Sequence, residues 1–279
     1  QEDGTAVVFG QAFAATAISG VILSLLTQRV NSELQIRDGF LVTAAFWIVL
    51  GLYGSLPFLL SSAMQVSVID AVFESVSGLT TTGATVLDGL DSLPQSILLY
   101  RQLLQWLGGI GIVVLAVAVL PMLGIGGVQL YRAESTGPAK DSKLTPRITS
   151  TAKALFSIYL GLTIACALAY FLAGMSIFDA ISHAFSTIAI GGFSTHDASM
   201  GYFDSELILM VASLFMMISA INFGLHFIVF SKRDLGIYSF DSETKFFLWM
   251  VIAATCITCT TLIINDALPP SKAVFHGIF

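Results

Sequence analysis

Charge is scarce in this sequence. Of its 279 residues only 11% are Asp, Glu, Lys or Arg, against roughly 25% in ordinary soluble domains, while 56% are hydrophobic. So few charges cannot cover a water-exposed surface, and lipid must be the solvent for most of the chain. Cysteine is scarce as well: Cys166, Cys256 and Cys259 all lie inside apolar runs, which excludes a disulfide framework. Cys256-Ile-Thr-Cys259 has C-x-x-C spacing but lacks the cationic neighbours and βαβ setting of a redox pair. No loop gathers a nucleophile with its base or a set of metal ligands, so the chain is not read as an enzyme and no catalytic residue is nominated. Gly108, Gly109 and Gly111 follow no strand, and close helix packing accounts for them better than a nucleotide loop does.

What is present is apolar length. A hydrocarbon core of about 30 Å takes about 20 helical residues to cross. Six stretches are long enough: 5–27, 40–60, 103–123, 154–174, 207–230 and 246–264. With the N-terminus outside, the loops after the first, third and fifth spans share one side. That side holds Arg29, Arg37, Arg132, Lys140, Lys143, Arg147, Lys153, Lys232, Arg233 and Lys245, ten of the twelve basic residues. The positive-inside rule makes it cytoplasmic. The other side keeps Arg101 and Lys272 with most of the acids, among them Asp88, Asp91, Asp197, Asp204 and Glu206.

Two outer connections, 61–102 and 175–206, are too long for plain turns. Each opens with a helix-like apolar run of about 11 residues, from Ile69 or Phe178, too short to span and therefore re-entrant. The runs end in Thr80-Thr81-Thr82-Gly83-Ala84-Thr85 and Ala189-Ile190-Gly191-Gly192-Phe193-Ser194. Irregular backbone at membrane depth is tolerated only where protein buries it or water lines it. A shift of 109 residues superposes Asp70-Ala71 on Asp179-Ala180, Ser77 on Ser186 and Gly83 on Gly192. A further match carries Ala71-Val72-Phe73-Glu74 onto Ala273-Val274-Phe275-His276, just before the sequence stops, so a third unit is expected to be cut short and the chain to be a piece of a longer protein. The expected fold is an all-α membrane protein of repeated span, re-entrant helix, glycine loop and span units, placed in parallel around an axis.

The loops nominate ion-binding residues. A dehydrating potassium ion exchanges water oxygens for neutral oxygen dipoles, and backbone carbonyls beside a glycine supply them. Glycine reaches backbone angles that let successive carbonyls point one way with no side chain on the axis. The candidates are Thr80, Thr81, Thr82, Gly83 and Ala84 in the first loop, and Ala189, Ile190, Gly191, Gly192 and Phe193 in the second. The K+ ligands are placed at the filter carbonyls, with Thr81, Thr82, Ile190 and Gly191 singled out. Threonine hydroxyls in the first loop either add acceptors or hold the backbone; the second loop offers carbonyls and packing only. The short helices aim their carbonyl ends at the axis, which favours a cation. Glu74 and His183 occupy equivalent positions and are read as hydrogen-bonding anchors ahead of a proton relay. His226 and Asn222 are read as interhelical partners, His196 as solvated, and Arg101 as an outer residue snorkelling or paired with Asp88 or Asp91.

Glu74-Ser75-Val76-Ser77-Gly78-Leu79-Thr80-Thr81-Thr82-Gly83-Ala84-Thr85 and Ser186-Thr187-Ile188-Ala189-Ile190-Gly191-Gly192-Phe193-Ser194-Thr195-His196 resemble the first two filter loops of the TrkH/KtrB/HKT superfamily of potassium transport proteins, closest to its bacterial TrkH branch. The resemblance covers essentially the whole chain, including Leu130-Tyr131-Arg132-Ala133-Glu134. It implies four units in pseudo-fourfold symmetry around one pore, one filter glycine per unit, a homodimer in the bacterial inner membrane, and a cytosolic TrkA-type nucleotide-binding partner that gates conduction. Residues 1–30 then form an N-terminal spanning helix, 31–131 a first pore repeat, 132–153 a cytoplasmic linker, 154–231 a second pore repeat and 232–279 the start of a third. Two filter loops and the broken inner helix of the third unit are missing from this stretch, and the T-V-G-Y-G pattern of potassium channels is absent. Potassium is cargo, no covalent cofactor is implied, and nothing nominates a nucleic-acid partner. Gated conduction, a proton- or sodium-coupled symporter and a membrane scaffold stay open on residues alone.

Overall fold

The computed structural model describes residues 4–27, 36–114, 148–265, 275 and 277–279, and among them it is all-helical. Helix α1 (Ala6–Thr27) and α2 (Ile36–Gly54) lead through one helical turn, α3 (Leu56–Leu60), to the short α4 (Val68–Leu79), from which α5 (Gln95–Val114) returns. The second unit repeats the order with α6 (Ile148–Leu172), the short α7 (Ile177–Ile188) and a bent pair, α8 (Glu206–Ala220) and α9 (Phe223–Lys232). A turn of helix, α10 (Gly236–Phe240), precedes α11 (Ser242–Ile264). Three of these helices are long and apolar enough to cross a bilayer, at 6–27, 153–172 and 242–264, and the bent pair passes the same test as one broken span. The basic linker from 132 to 147 and the motif at 130–134 lie outside the described residues, as do Arg29 and His276.

Three expected spans differ in outline. The stretch 40–60 divides between α2 and α3 because Pro57 sits in the first turn of α3 and has no N–H to continue the ladder across Ser55. The third span starts at Gln95 instead of Leu103: Pro94 opens it, its carbonyl taking the N–H groups of Ile97 and Leu98 at 3.0 and 3.1 Å. Arg101 is thereby carried inside the helix, away from its head. The fifth span, expected to be continuous, bends by 88° between α8 and α9. There the Asn222 side chain accepts the Gly224 N–H at 2.8 Å and caps a new helix, while the Ile218 carbonyl accepts the Ile221 N–H at 3.2 Å and is also bonded to His226 Nε2 at 2.9 Å. Asn222 and His226 are therefore what satisfies the break, with His226 Nδ1 bonded onward to the Tyr238 hydroxyl at 2.7 Å.

Each unit has its own core. Phe58, Ala71, Ile97 and Leu104 are buried in the first, and Tyr170, Ala180, Ala184 and Leu209 in the second. The two short helices start alike: Ser67 accepts the Asp70 N–H at 3.2 Å, and Ser176 accepts that of Asp179 at 3.1 Å. These Ser-x-x-Asp caps obey the same 109-residue shift. Helix α5 packs against both short helices, and its glycines allow it. A Cβ on Gly108 would strike the carbonyl of Leu79, and one on Gly109 would crowd Ala189 at 3.1 Å.

Candidate functional site

Both short helices end with one backbone solution. Thr80, Thr81 and Thr82 donate to the carbonyls of Val76, Gly78 and Ser77 at 2.8, 3.0 and 2.9 Å; Ala189, Ile190 and Gly191 donate to Phe185, Thr187 and Ser186 at 3.2, 3.1 and 2.8 Å. This is the helix-ending motif in which one residue turns left-handed, a place usually kept for glycine. Here it is Thr81, with φ 56°, and Ile190, with φ 53°. A β-branched residue in that region is strained by about 1–3 kcal/mol and persists only where its surroundings hold it. Two residues later the chain turns left-handed again at Gly83, φ 74°, and Gly192, φ 84°.

The turns leave carbonyls without partners. Among the described residues no protein donor is hydrogen-bonded to the carbonyls of Thr81, Thr82, Gly83, Ile190, Gly191 or Gly192. The two loops touch: a Cβ on Gly83 would collide with the Gly191 carbonyl oxygen and come within 3.6 Å of Gly192 Cα. A Cβ on Gly192 meets nothing within 4 Å. Beneath the loops lies a cavity of about 460 Å³ lined by Thr80, Thr81, Ala189 and Ile190 from the two units and by Tyr159 and Ser219. The threonine hydroxyls hold the backbone: Thr80 Oγ1 bonds the Val76 carbonyl and the Thr82 hydroxyl, each at 2.8 Å.

The loops are clamped from behind. Glu74 and Arg101 form an ion pair at 2.7 Å with both side chains fully buried. Arg101 Nη1 donates to the Ser194 carbonyl at 3.0 Å and Nη2 to Thr85 Oγ1 at 3.2 Å, and its guanidinium lies 4.4 Å over the Phe193 ring. The Glu74 carboxylate also accepts from the Thr85 hydroxyl and the Val86 N–H. In the second unit His183 Nε2 bonds Ser194 Oγ at 3.0 Å. Both equivalent positions thus anchor a loop hydroxyl. The sequence-based partner for Arg101, Asp88 or Asp91, is replaced by Glu74, because a guanidinium carried inside α5 needs a buried carboxylate.

His196 is not solvated. Its ring, 14% exposed, stacks on Tyr202 with centroids 3.4 Å apart; its Nδ1 is bonded to the Asp91 carboxylate and its Nε2 lies 3.3 Å from Asp179. The hydrogen bond from His196 holds the Asp91 carboxyl below its usual range. Asp197 completes this outer seam by accepting the Leu90 N–H at 3.0 Å.

Comparison with known proteins places the chain in a family. The family described as TrkH, cation transport protein, matches residues 5–274. The chain belongs to the TrkH family. It is 54% identical over 277 residues to the Trk system potassium uptake protein TrkH of Halomonas elongata and 53% identical over 262 residues to that of Escherichia coli strain K12. These alignments cover 99% and 94% of this chain, and 58% and 54% of the relatives. The crystal structure of the potassium transporter TrkH from Vibrio parahaemolyticus superposes with a TM-score of 0.85 at 49% identity, covering 99% of this chain and 56% of that one. The chain therefore spans a little more than half the length of the TrkH relatives it matches. The all-helical architecture is that of the family.

Of the nominated residues, the structure brings Gly83 against Gly191 and Gly192 and places Thr80, Thr81, Ala189 and Ile190 around one cavity, while the Thr82 hydroxyl bonds Thr80 within its own loop. Ala84 stands one step back, its carbonyl held by Ser77 Oγ at 2.6 Å, and Phe193 likewise faces Arg101. Gln105 was missed: its Oε1 accepts the Phe193 N–H at 3.1 Å. Two polar residues one turn apart on an apolar span, Arg101 and Gln105, were the available signal.

Proposed function

We propose that this chain forms part of a potassium-conducting pathway across the bacterial inner membrane, with Thr81, Thr82 and Gly83 of one loop and Ile190, Gly191 and Gly192 of the other presenting carbonyl oxygens to the ion. The observation that carries the reading is the run of unpartnered carbonyls over a shared cavity. Most of these carbonyls belong to exposed or half-buried residues, so they are free to replace water oxygens around a partly dehydrated cation. The relatives' name, potassium uptake protein, supports K+ as the cargo. The division into pore repeats, the homodimer and a TrkA-type cytosolic regulator belong to the same reading. Rubidium uptake into proteoliposomes of the full-length protein tests it. Flux down the rubidium gradient alone is expected; flux that appears only with an added proton or sodium gradient would move the reading to a coupled symporter, and no flux would end it.

A further inference from the structure

In the second loop, His183 holds the Ser194 hydroxyl, but no side chain of the short helix reaches the Phe193 backbone. In the first, Ser77 Oγ donates to the Ala84 carbonyl at 2.6 Å; the equivalent Ser186 turns back to the His183 carbonyl at 3.3 Å and leaves Phe193 alone. Support comes instead from α5, a helix of the first unit. Gln105, fully buried, accepts the Phe193 N–H at 3.1 Å, and one turn earlier Arg101 donates to the next carbonyl, that of Ser194, at 3.0 Å. The atom facing an N–H must be an acceptor, so the carboxamide oxygen points to Phe193, while the buried NH2 group has no hydrogen-bond partner among the described residues. A Cβ on Gly191 would run into that carboxamide. The same place in the first loop is Thr82, which carries a full side chain. Gly191 has no left-handed φ, so proximity to Gln105 and not its own dihedral demands glycine there.

We propose that Gln105 is a positioning residue for ion selectivity: its carboxamide sets the depth and tilt of the Gly191–Phe193 peptides, and the first unit thereby holds the filter loop of the second. This rests on the filter reading above. Gln105→Met keeps side-chain length and deletes the acceptor, stranding a buried N–H. Replacing the Phe193 amide by an ester deletes the donor and leaves Gln105 intact.

Each change, in reconstituted full-length protein at equal density, should lower the rubidium-to-sodium flux ratio by about tenfold, as expected when one buried hydrogen bond is lost. Combined, they should be no worse than either alone. A role in stability only would reduce folded protein and leave the ratio unchanged. Should Gln105→Met not fold, the ester alone decides. A ratio within twofold of wild type in every variant that folds overturns the proposal. Gly83→Ala separates the two levels: if it loses selectivity while the Gln105 and ester variants keep it, only the positioning role fails. If Gly83→Ala is also wild type, the filter reading fails.

Discussion

The two glycine loops share a backbone and differ in what holds it. Left-handed turns at Thr81 and Gly83 are matched at Ile190 and Gly192, and the hydrogen bonds before them correspond one to one. Behind that backbone the first loop is held by a buried ion pair, Glu74 with Arg101, and the second by the neutral bond between His183 and Ser194. A carbonyl array depends on dihedral angles, and any side chain that satisfies the neighbouring polar atoms can maintain them. The repeat therefore preserves geometry where the carbonyls are and lets chemistry diverge one layer out. Arg101 ties the layers together, since it bonds Thr85 of one loop and Ser194 of the other.

The sharpest way to break this comparison is to remove a charge. Arg101→Met leaves the Glu74 carboxylate buried without its counter-charge, a loss of about 3–5 kcal/mol, visible as a lower thermal midpoint in detergent. Adding Glu74→Gln should recover more than half of it. Ser194→Ala, which removes the neutral partner of His183, should cost about 1–2 kcal/mol. Equal losses at the two loops would show that the ion pair is no more committed than the neutral clamp.

A smaller effect distinguishes the two glycines themselves. Gly83→Ala adds a dihedral cost of about 1–2 kcal/mol and also forces the Gly191 carbonyl aside, so its potassium-over-sodium ratio should fall more than about tenfold. Gly192→Ala carries the dihedral cost alone, because open space surrounds it, and should fall less, by about fivefold. Paired fluxes of both ions through each variant measure this; the reverse order would contradict the packing of one loop on the other.

The smallest expected effect is at the outer seam between the units. Asp91 is lowered below its ordinary 3.8 chiefly by the His196 hydrogen bond, so the seam contributes stability above the unfolded carboxyl value and loses it as pH falls through the lowered folded value. Thermal midpoints of wild type and Asp91→Asn should differ slightly at about pH 5 and converge as the pH falls below about 4, through the lowered carboxyl value. A difference that grows on acidification would give the seam the opposite sign.

Much of this was legible because it is local. Hydropathy and length separate spans from the short helices at 68–79 and 177–188, and the paired glycines mark where those helices must end. Reading Glu74 and His183 as equivalent anchors needed only the 109-residue shift. The bend at Ile221 was hidden because its stretch is apolar throughout, so hydropathy has no dip there, and only Asn222 hints at a cap.

By itself the sequence determined that long apolar helices alternate with short ones and that the short helices end at the paired glycines Gly83 and Gly192, since these depend on neighbours within a few positions. The tertiary structure alone decided that Arg101 pairs with Glu74, that His196 lies between Asp91 and Asp179, and that Gln105 reaches Phe193. Those partners are set by how α5 packs between two short helices from different units. In an apolar interior a polar side chain bonds whatever donor or acceptor that packing brings within about 3 Å, and its separation along the chain carries no information about which one that is.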